Sequence, residues 1–340
     1  MADAATAAYF PKPVRILRRS DITALMEPSD YLSAVERGFR SFAHGDAHVP
    51  GPMHIDATDG GFHAKAARVG LGCSYVALKL NANFPGNPKR NGLPAIQGAL
   101  FLCDASDGSL LAIMDSIEIT AQRTAATSAL AARLFARPES DCIAICGCGE
   151  QGRAHLSVMA QVLPVRRAFV WDLDARAAEV FAREMRESLG FEVTAVADVG
   201  DATRSSAVIV TATPARSPFL TSSCVAAGAF IAAVGADSPE KNELAPELLA
   251  ASTIVGDSLA QCAAMGDLHH ALKAGAVRLG DVHAELGDVV IGRKSGRTSP
   301  DEIVVFDSTG FAVEDAASAA CVYQRALAKN VGLSIPLGAH

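Results

Sequence analysis

Residues 141–172 read DCIAICGCGEQGRAHLSVMAQVLPVRRAFVWD, and this stretch decides the fold. The run Cys142 to Cys146 carries no charge, which suits a strand covered on both faces. Gly147, Gly149 and Gly152 follow at GxGxxG spacing, and RAHLSVMAQVL continues as a helix. A lone GxGxxG is common by chance, but a strand before it and a helix after it make a dinucleotide-binding fingerprint. The glycines permit a tight turn, close approach of backbone to pyrophosphate, and close packing of helix on strand. Exposed amides in this turn, with Gln151 among the cofactor-binding residues, and the positive helix end then hold the phosphates.

The next strand, RRAFVWD, ends in Asp172, 20 residues after Gly152. A carboxylate there either accepts the adenosine ribose hydroxyls or caps the following helix. It would repel a 2′-phosphate, and no Arg follows before Arg176, so NAD(H) is expected ahead of NADP(H).

Working outward, strands are expected at 166–172, 191–197, 206–212, 228–235 and 252–256, with helices at 151–163 and 174–188. That alternation predicts a doubly wound parallel sheet. Before it, ITAQRTAATSALAARLFAR forms an alanine-rich connector helix that Pro138 ends. Nearer the N-terminus, SDYLSAVERGFRSFAH over 29–44 places Leu32, Val35, Phe39 and Phe42 on one helix face. Extended segments at 61–67, 74–81, 96–104 and 109–115 follow, with NANFPGNPKRNGLP (81–94) read as a long loop. A strand at 302–306 and a helix over 313–330 close the chain. The fold class is therefore α/β, a Rossmann sheet plus a second α+β domain. Residues 1–124 with 313–340 are expected to bind substrate and dimerise, and 125–312 to bind NAD(H).

The bulk properties narrow the function. A chain of 340 residues with net charge −7 has no general attraction for nucleic acid or anionic membrane. Neither partner is expected. The N-terminus lacks an uninterrupted apolar run, and nowhere do 18 uncharged apolar residues follow one another, so a cytoplasmic location is expected. Eight cysteines are too few for a disulfide scaffold at this length. Cys146-Gly-Cys148 has no second Cys/His pair at ligand spacing, so no metal site is expected.

Lys79, Asn91-Gly-Leu-Pro94, Gln97-Gly98, Asp104, Gly108, Asp115 and Ile119-Thr-Ala-Gln-Arg-Thr-Ala-Ala126 together resemble the ornithine cyclodeaminase/mu-crystallin family. GCGEQGRAH, AVGADSPEKNEL and DSTGFAVEDAASA resemble it too, in the same order, so the resemblance covers most of the chain beyond about residue 60. It implies a homodimer with an active site between two domains, and one shared hydride step at the carbon bearing an amino acid's nitrogen. Lys79 and Arg123 correspond to cations that contact the substrate, and Asp237 to the acid that engages the reacting nitrogen. Asp237 follows the apolar strand GAFIAAVG, which puts it at the carboxyl edge of the sheet, where ligands bind. The rival readings are a helix-capping Asp237, a surface Lys79, and an Arg123 that pairs structurally between connector and sheet.

Thr211-Ala-Thr213-Pro214 either lines the nicotinamide or merely ends its strand. Thr124, like Thr120, flanks Arg123 and either touches cofactor phosphate or is an ordinary helix residue; Ser308 resembles the family's final turn near the cofactor. The chain also departs from the family. Many relatives carry a carboxylate-gripping Arg in the region of Val49-Pro-Gly-Pro-Met-His54, where Met53 and His54 stand instead. Phe62-His63-Ala64-Lys65 replaces an apolar residue and proline. Lys65 either takes over the missing cation, without the bidentate fork, or faces solvent. His54 and His63 are candidate proton donors at the substrate, or structural residues.

The resulting expectation is an NAD(H)-dependent imine reductase or amino-acid dehydrogenase acting on a small amino or imino acid. Ornithine or lysine cyclodeamination with catalytic NAD is the alternative. A non-catalytic, mu-crystallin-like protein that binds nucleotide and ligand is the third.

Overall fold

The computed structural model describes residues 12–337. The N-terminal residues 1–11, part of the segment read as lacking an export signal, and 338–340, assigned to the end of the first domain, lie outside the described residues. In chain order the strands are β1 (Val14–Leu17), β2 (Met53–Ala57), β3 (Gly60–Leu71), β4 (Cys73–Asn83), β5 (Ile96–Asp104), β6 (Leu110–Asp115), β7 (Cys142–Cys146) and β8 (Arg167–Trp171). They continue as β9 (Glu192–Ala195), β10 (Val208–Thr211), β11 (Phe230–Ala233), β12 (Thr253–Gly256), β13 (Ala284–Glu285), β14 (Val304–Asp307) and β15 (Leu333–Ile335).

Two sheets result. One has the order β13-β12-β14-β11-β10-β7-β8-β9 with every pairing parallel. Strands β7, β10 and β11 are buried along their whole length, as the continuous apolar runs require. The chain leaves β7 towards β8 on one side and returns to β10 on the other, which opens a crevice at the carboxyl ends of β7 and β10. The other sheet has the order β15-β1-β6-β5-β4-β3-β2 and is antiparallel except for the β1–β6 pair.

Three helices cover one face of that second sheet: Pro28–Ala43, the connector Ser116–Phe135, and the closing helix Ala312–Lys329. Alanine and serine dominate the last two, so they pack closely against each other, the connector touches both sheets, and 15 of its 20 residues are buried. Lys79, Glu118, Arg123, Glu314 and Asp315 are among the charges this packing encloses. Among the described residues, no helix longer than the single turn Asn87–Arg90 lies over the opposite face of the sheet. Met53, Ile55, Leu78 and Leu80 stand there 55%, 49%, 43% and 38% exposed.

The stretch 81–94 is less open than expected. Strand β4 runs on to Asn83, and Asn87–Arg90 winds into one helical turn. Strands β1, β2 and β15 were not anticipated: each is only three to five residues long, and β2 and β15 bury almost nothing, so the alternation in MHIDA and LSI is too short and too exposed to mark a strand. No helix among the described residues is long and apolar enough to cross a membrane.

Candidate active site

At the parallel sheet's crevice the backbone is shaped for a phosphate. Gly147 sits at φ 107°, a conformation L side chains rarely adopt, and a Cβ there would meet Ala212 O at 2.5 Å. A Cβ on Gly152 would lie 2.2 Å from Gly147 O and 3.1 Å from Ile145 Cγ2, so the helix Glu150–Val162 lies directly on β7 only because that atom is missing. Around Gly149 the space is open, and no side chain caps the helix N-terminus. Gln151 Oε1 is buried there without a hydrogen-bond partner. Free amides, an uncapped helix and open room fit a dinucleotide pyrophosphate.

Asp172 accepts the Cys148 N–H at 2.8 Å and the Asp174 N–H at 3.0 Å, so it braces the glycine turn from the end of β8. The cap of the following helix is Asp174, which accepts from Arg176 N and Ala177 N. Asp172 is therefore not spent on capping. Its carboxylate stands at the edge where an adenosine ribose would lie.

The second half of the site is a cluster of charges between the two sheets. Lys65 and Lys79 face each other across β3 and β4. Lys79 Nζ lies 2.7 Å from Asp315 Oδ2 and 3.3 Å from Thr120 Oγ1. Arg123 donates through Nε to Asp315 Oδ1 at 2.8 Å and through Nη1 to Glu314 Oε2 at 2.5 Å. Lys65 Nζ donates to the carbonyls of Thr309 and Gly310 at 2.9 and 2.8 Å. Three cations thus meet two carboxylates, which leaves one positive charge in excess.

Burial drives the Lys79 ammonium down to about 8, with Asp315 opposing it and Arg123 and Lys65 reinforcing it. Lys65 is lowered by the same burial and by Arg123. Burial alone would lower Arg123 too, but Asp315 and Glu314 outweigh it and hold the guanidinium charged. An anion entering this pocket relieves Lys65 and Lys79.

Asp237 lies just beyond β11, half-exposed, and accepts from Lys241 Nζ at 2.6 Å. Surrounding protein pushes its carboxyl up, but Lys241, Lys65 and His63 together bring it below the ordinary value. His63 stands two residues before Lys65 on the same face of β3, and pairs across the ladder with His54 of β2. Their Nδ1 atoms are 3.3 Å apart.

The structure therefore gathers Lys65, Lys79, Arg123, Asp237 and His63 into one cluster, while Gly147, Gly149, Gln151, Gly152 and Asp172 lie together at the carboxyl ends of β7 and β8. It turns four other predicted side chains elsewhere. The Thr211 hydroxyl donates to Glu243 Oε2 at 2.7 Å, and Thr213 gives both its N–H and its hydroxyl to Glu243 Oε1. Thr124 donates back to the Thr120 carbonyl within its own helix, and Ser308 Oγ is fully buried against Asp257. Glu243 and Asp257 brace the ends of β10, β11 and β14, and sequence reasoning missed both. It also missed Glu314 and Asp315. An acidic pair opening an otherwise alanine-rich helix was the available signal, yet such acids usually serve the helix dipole.

Fold and site together define a Rossmann-type, nucleotide-dependent enzyme whose second sheet carries a buried cluster of charges. Residues 14–330 match the model of the ornithine cyclodeaminase/mu-crystallin family, and the chain belongs to that family. It is similar to the alanine dehydrogenase of Archaeoglobus fulgidus, at 36% identity over 94% of this chain and 97% of that protein. Among solved structures it resembles an archaeal alanine dehydrogenase dimer with bound NAD, at 35% identity and TM-score 0.91, covering 96% of this chain and 99% of that one. It likewise resembles the Δ1-pyrroline-2-carboxylate reductase of Thermococcus litoralis in complex with NADH and L-proline, at 33% identity and TM-score 0.91, covering 95% and 100%.

Proposed function

We propose that this chain is an NAD(H)-dependent oxidoreductase that acts on the C–N bond of a small amino acid or its imine, in the manner of an imino-acid reductase or alanine dehydrogenase. The observation that carries this reading is the pairing of a surplus positive charge at Lys65, Lys79 and Arg123 with a carboxylate, Asp237, across the same cleft. An amino acid presents the complementary pair, a carboxylate and a cationic nitrogen.

When bound, the nicotinamide supplies or accepts the hydride at the α-carbon. Gly147, Gly149, Gln151 and Gly152 would hold the dinucleotide's pyrophosphate and Asp172 its adenosine ribose. Lys79 and Arg123 bind the substrate carboxylate, and Lys65 fills the place of the Arg that relatives carry near Met53. Asp237 stabilises the iminium as an anion. Thr124, Thr211, Thr213 and Ser308 act indirectly, by holding the backbone that frames the cofactor.

The same reading divides the chain into 1–124 with 313–340, for substrate and dimer contacts, and 125–312, for nucleotide. The bare face carrying Met53, Ile55, Leu78 and Leu80 is where a second copy docks, because that much adjoining apolar surface favours burial. Eight unpaired thiols accord with a reducing, cytoplasmic setting.

The test follows NADH oxidation with pyruvate plus ammonia, Δ1-pyrroline-2-carboxylate and Δ1-piperideine-2-carboxylate, and assays ornithine plus NAD for ammonia. Net NADH consumption with an imine is the expected result; ammonia release without it identifies a cyclodeaminase. D237N is expected to bind NADH within about twofold of the parent and to lose about 100-fold in turnover. Turnover retained in D237N on every substrate would refute the assignment.

A further inference from the structure

The hairpin β2–β3 brings three titratable side chains into line beside the cleft. Asp56 Oδ1 lies 2.9 Å from His54 Nε2, and His54 Nδ1 lies 3.3 Å from His63 Nδ1. Asp56 is almost wholly exposed and His54 is 48% exposed, whereas His63 lies deeper, on the Lys65 side. Among the described residues, His63 Nε2 has no hydrogen-bond partner.

Proton counting gives this arrangement a direction. A carboxylate only accepts, so His54 Nε2 must carry a hydrogen to bond Asp56. In the neutral pair, His54 Nδ1 is then the acceptor, His63 Nδ1 is the donor, and His63 Nε2 is bare. One added proton leaves His63 Nε2 protonated whichever ring carries the charge. The cationic pair therefore presents an N–H donor from His63, and the neutral pair a lone pair.

We propose that His63 is a general acid in this chain's reaction, passing the proton on its Nε2 to the substrate nitrogen, with His54 and Asp56 as positioning residues that fix its tautomer. The proposal rests on the C–N oxidoreductase reading above. In the step, the N–H bond at His63 Nε2 breaks and the lone pair of a neutral imine takes the proton. The imidazolium becomes imidazole, and solvent replaces the proton. Asp237 holds the iminium so formed, at the moment hydride is to arrive. The logic is that of an Asp-oriented histidine, lengthened by one ring.

Asp237 itself is a poor proton source. Lys241, Lys65 and His63 hold it below the ordinary carboxyl value, so near neutral pH it has no proton to give. The groups facing His63 are His54 of β2, Lys65 of its own strand, and Asp237 and Lys241 beyond β11. Burial lowers the His63 imidazolium, His54, Lys65 and Lys241 lower it further, and Asp237 alone raises it. Its acid form is thus used on the acidic side of the ordinary imidazole range, and reduction slows as pH rises through that range.

The experiment compares the full-length protein with H63Q, H63G and H54Q. Parent kcat for imine reduction is expected to fall along an alkaline limb. H63Q is expected to lose that limb and about 100-fold in kcat, while NADH affinity by fluorescence stays within about twofold. Added imidazole is expected to restore H63G at least tenfold. NMR of ring-labelled histidine is expected to show that H54Q raises the His63 titration.

An H63Q enzyme within threefold of the parent that keeps the alkaline limb overturns the proposal, as does a His63 titration indifferent to H54Q. A parent that binds NADH and reduces no imine removes the functional reading instead, and this inference falls with it. The NADH-binding control separates a misfolded variant from either outcome.

Discussion

Lys79 and Arg123 share Asp315, yet replacing each with methionine should move stability in opposite directions. Lys79, 5% exposed, has an ammonium held at about 8 against an ordinary 10.5, a difference worth about 3 kcal/mol at roughly 1.36 kcal/mol per unit. A base whose folded value is depressed destabilises the fold fully below pH 8, and the penalty fades as pH rises towards 10.5. In K79M that penalty is absent, and Asp315 remains paired to Arg123 Nε at 2.8 Å. The variant should therefore be more stable than the parent by up to about 3 kcal/mol at pH 7, and the gain should shrink by pH 10.

R123M instead strips Glu314 of its guanidinium and Asp315 of one of two cations, and should lose about 3–5 kcal/mol. Urea midpoints of the three proteins at pH 7 and pH 10 measure both effects. Activity separates from stability in the same pair: K79M, though sturdier, should lose roughly thirtyfold or more in kcat/KM, since truncating a charge that holds a carboxylate costs about 2–5 kcal/mol. A K79M protein destabilised as deeply as R123M would refute the reasoning, because Asp315 would then depend on Lys79 alone.

Two further substitutions probe the cofactor wall and the bare sheet face. G152A puts a methyl 2.2 Å from the Gly147 carbonyl, so the glycine turn must shift; NADH affinity by fluorescence titration should fall at least tenfold. L80D charges the centre of the exposed apolar face, and sedimentation should report a smaller assembly than the parent's while NADH binding persists.

Much of the fold was legible in the chain. The apolar runs at β7, β8, β10 and β11 and the glycine spacing between β7 and its helix are local signals, and those elements lie within a few residues of their expected bounds. The candidate cations and Asp237 were legible as residue types at family positions. Strands β1, β2 and β15 were not: they are formed by pairing at a sheet's edges, and nothing in their own four, five and three residues demands it.

By itself, then, the order of residues determined a parallel nucleotide sheet, an alanine-rich connector and a set of cations suited to an amino acid. Only the tertiary structure decided how those cations are answered. Asp315 lies 192 positions from Arg123 and 236 from Lys79, and no periodicity links residues so far apart. Burial decided the rest. Removing water from Lys79, Arg123, Glu314 and Asp315 together turns ordinary side chains into a balanced network, and Lys65 beside it, bonded only to carbonyls, adds the one positive charge without a carboxylate partner.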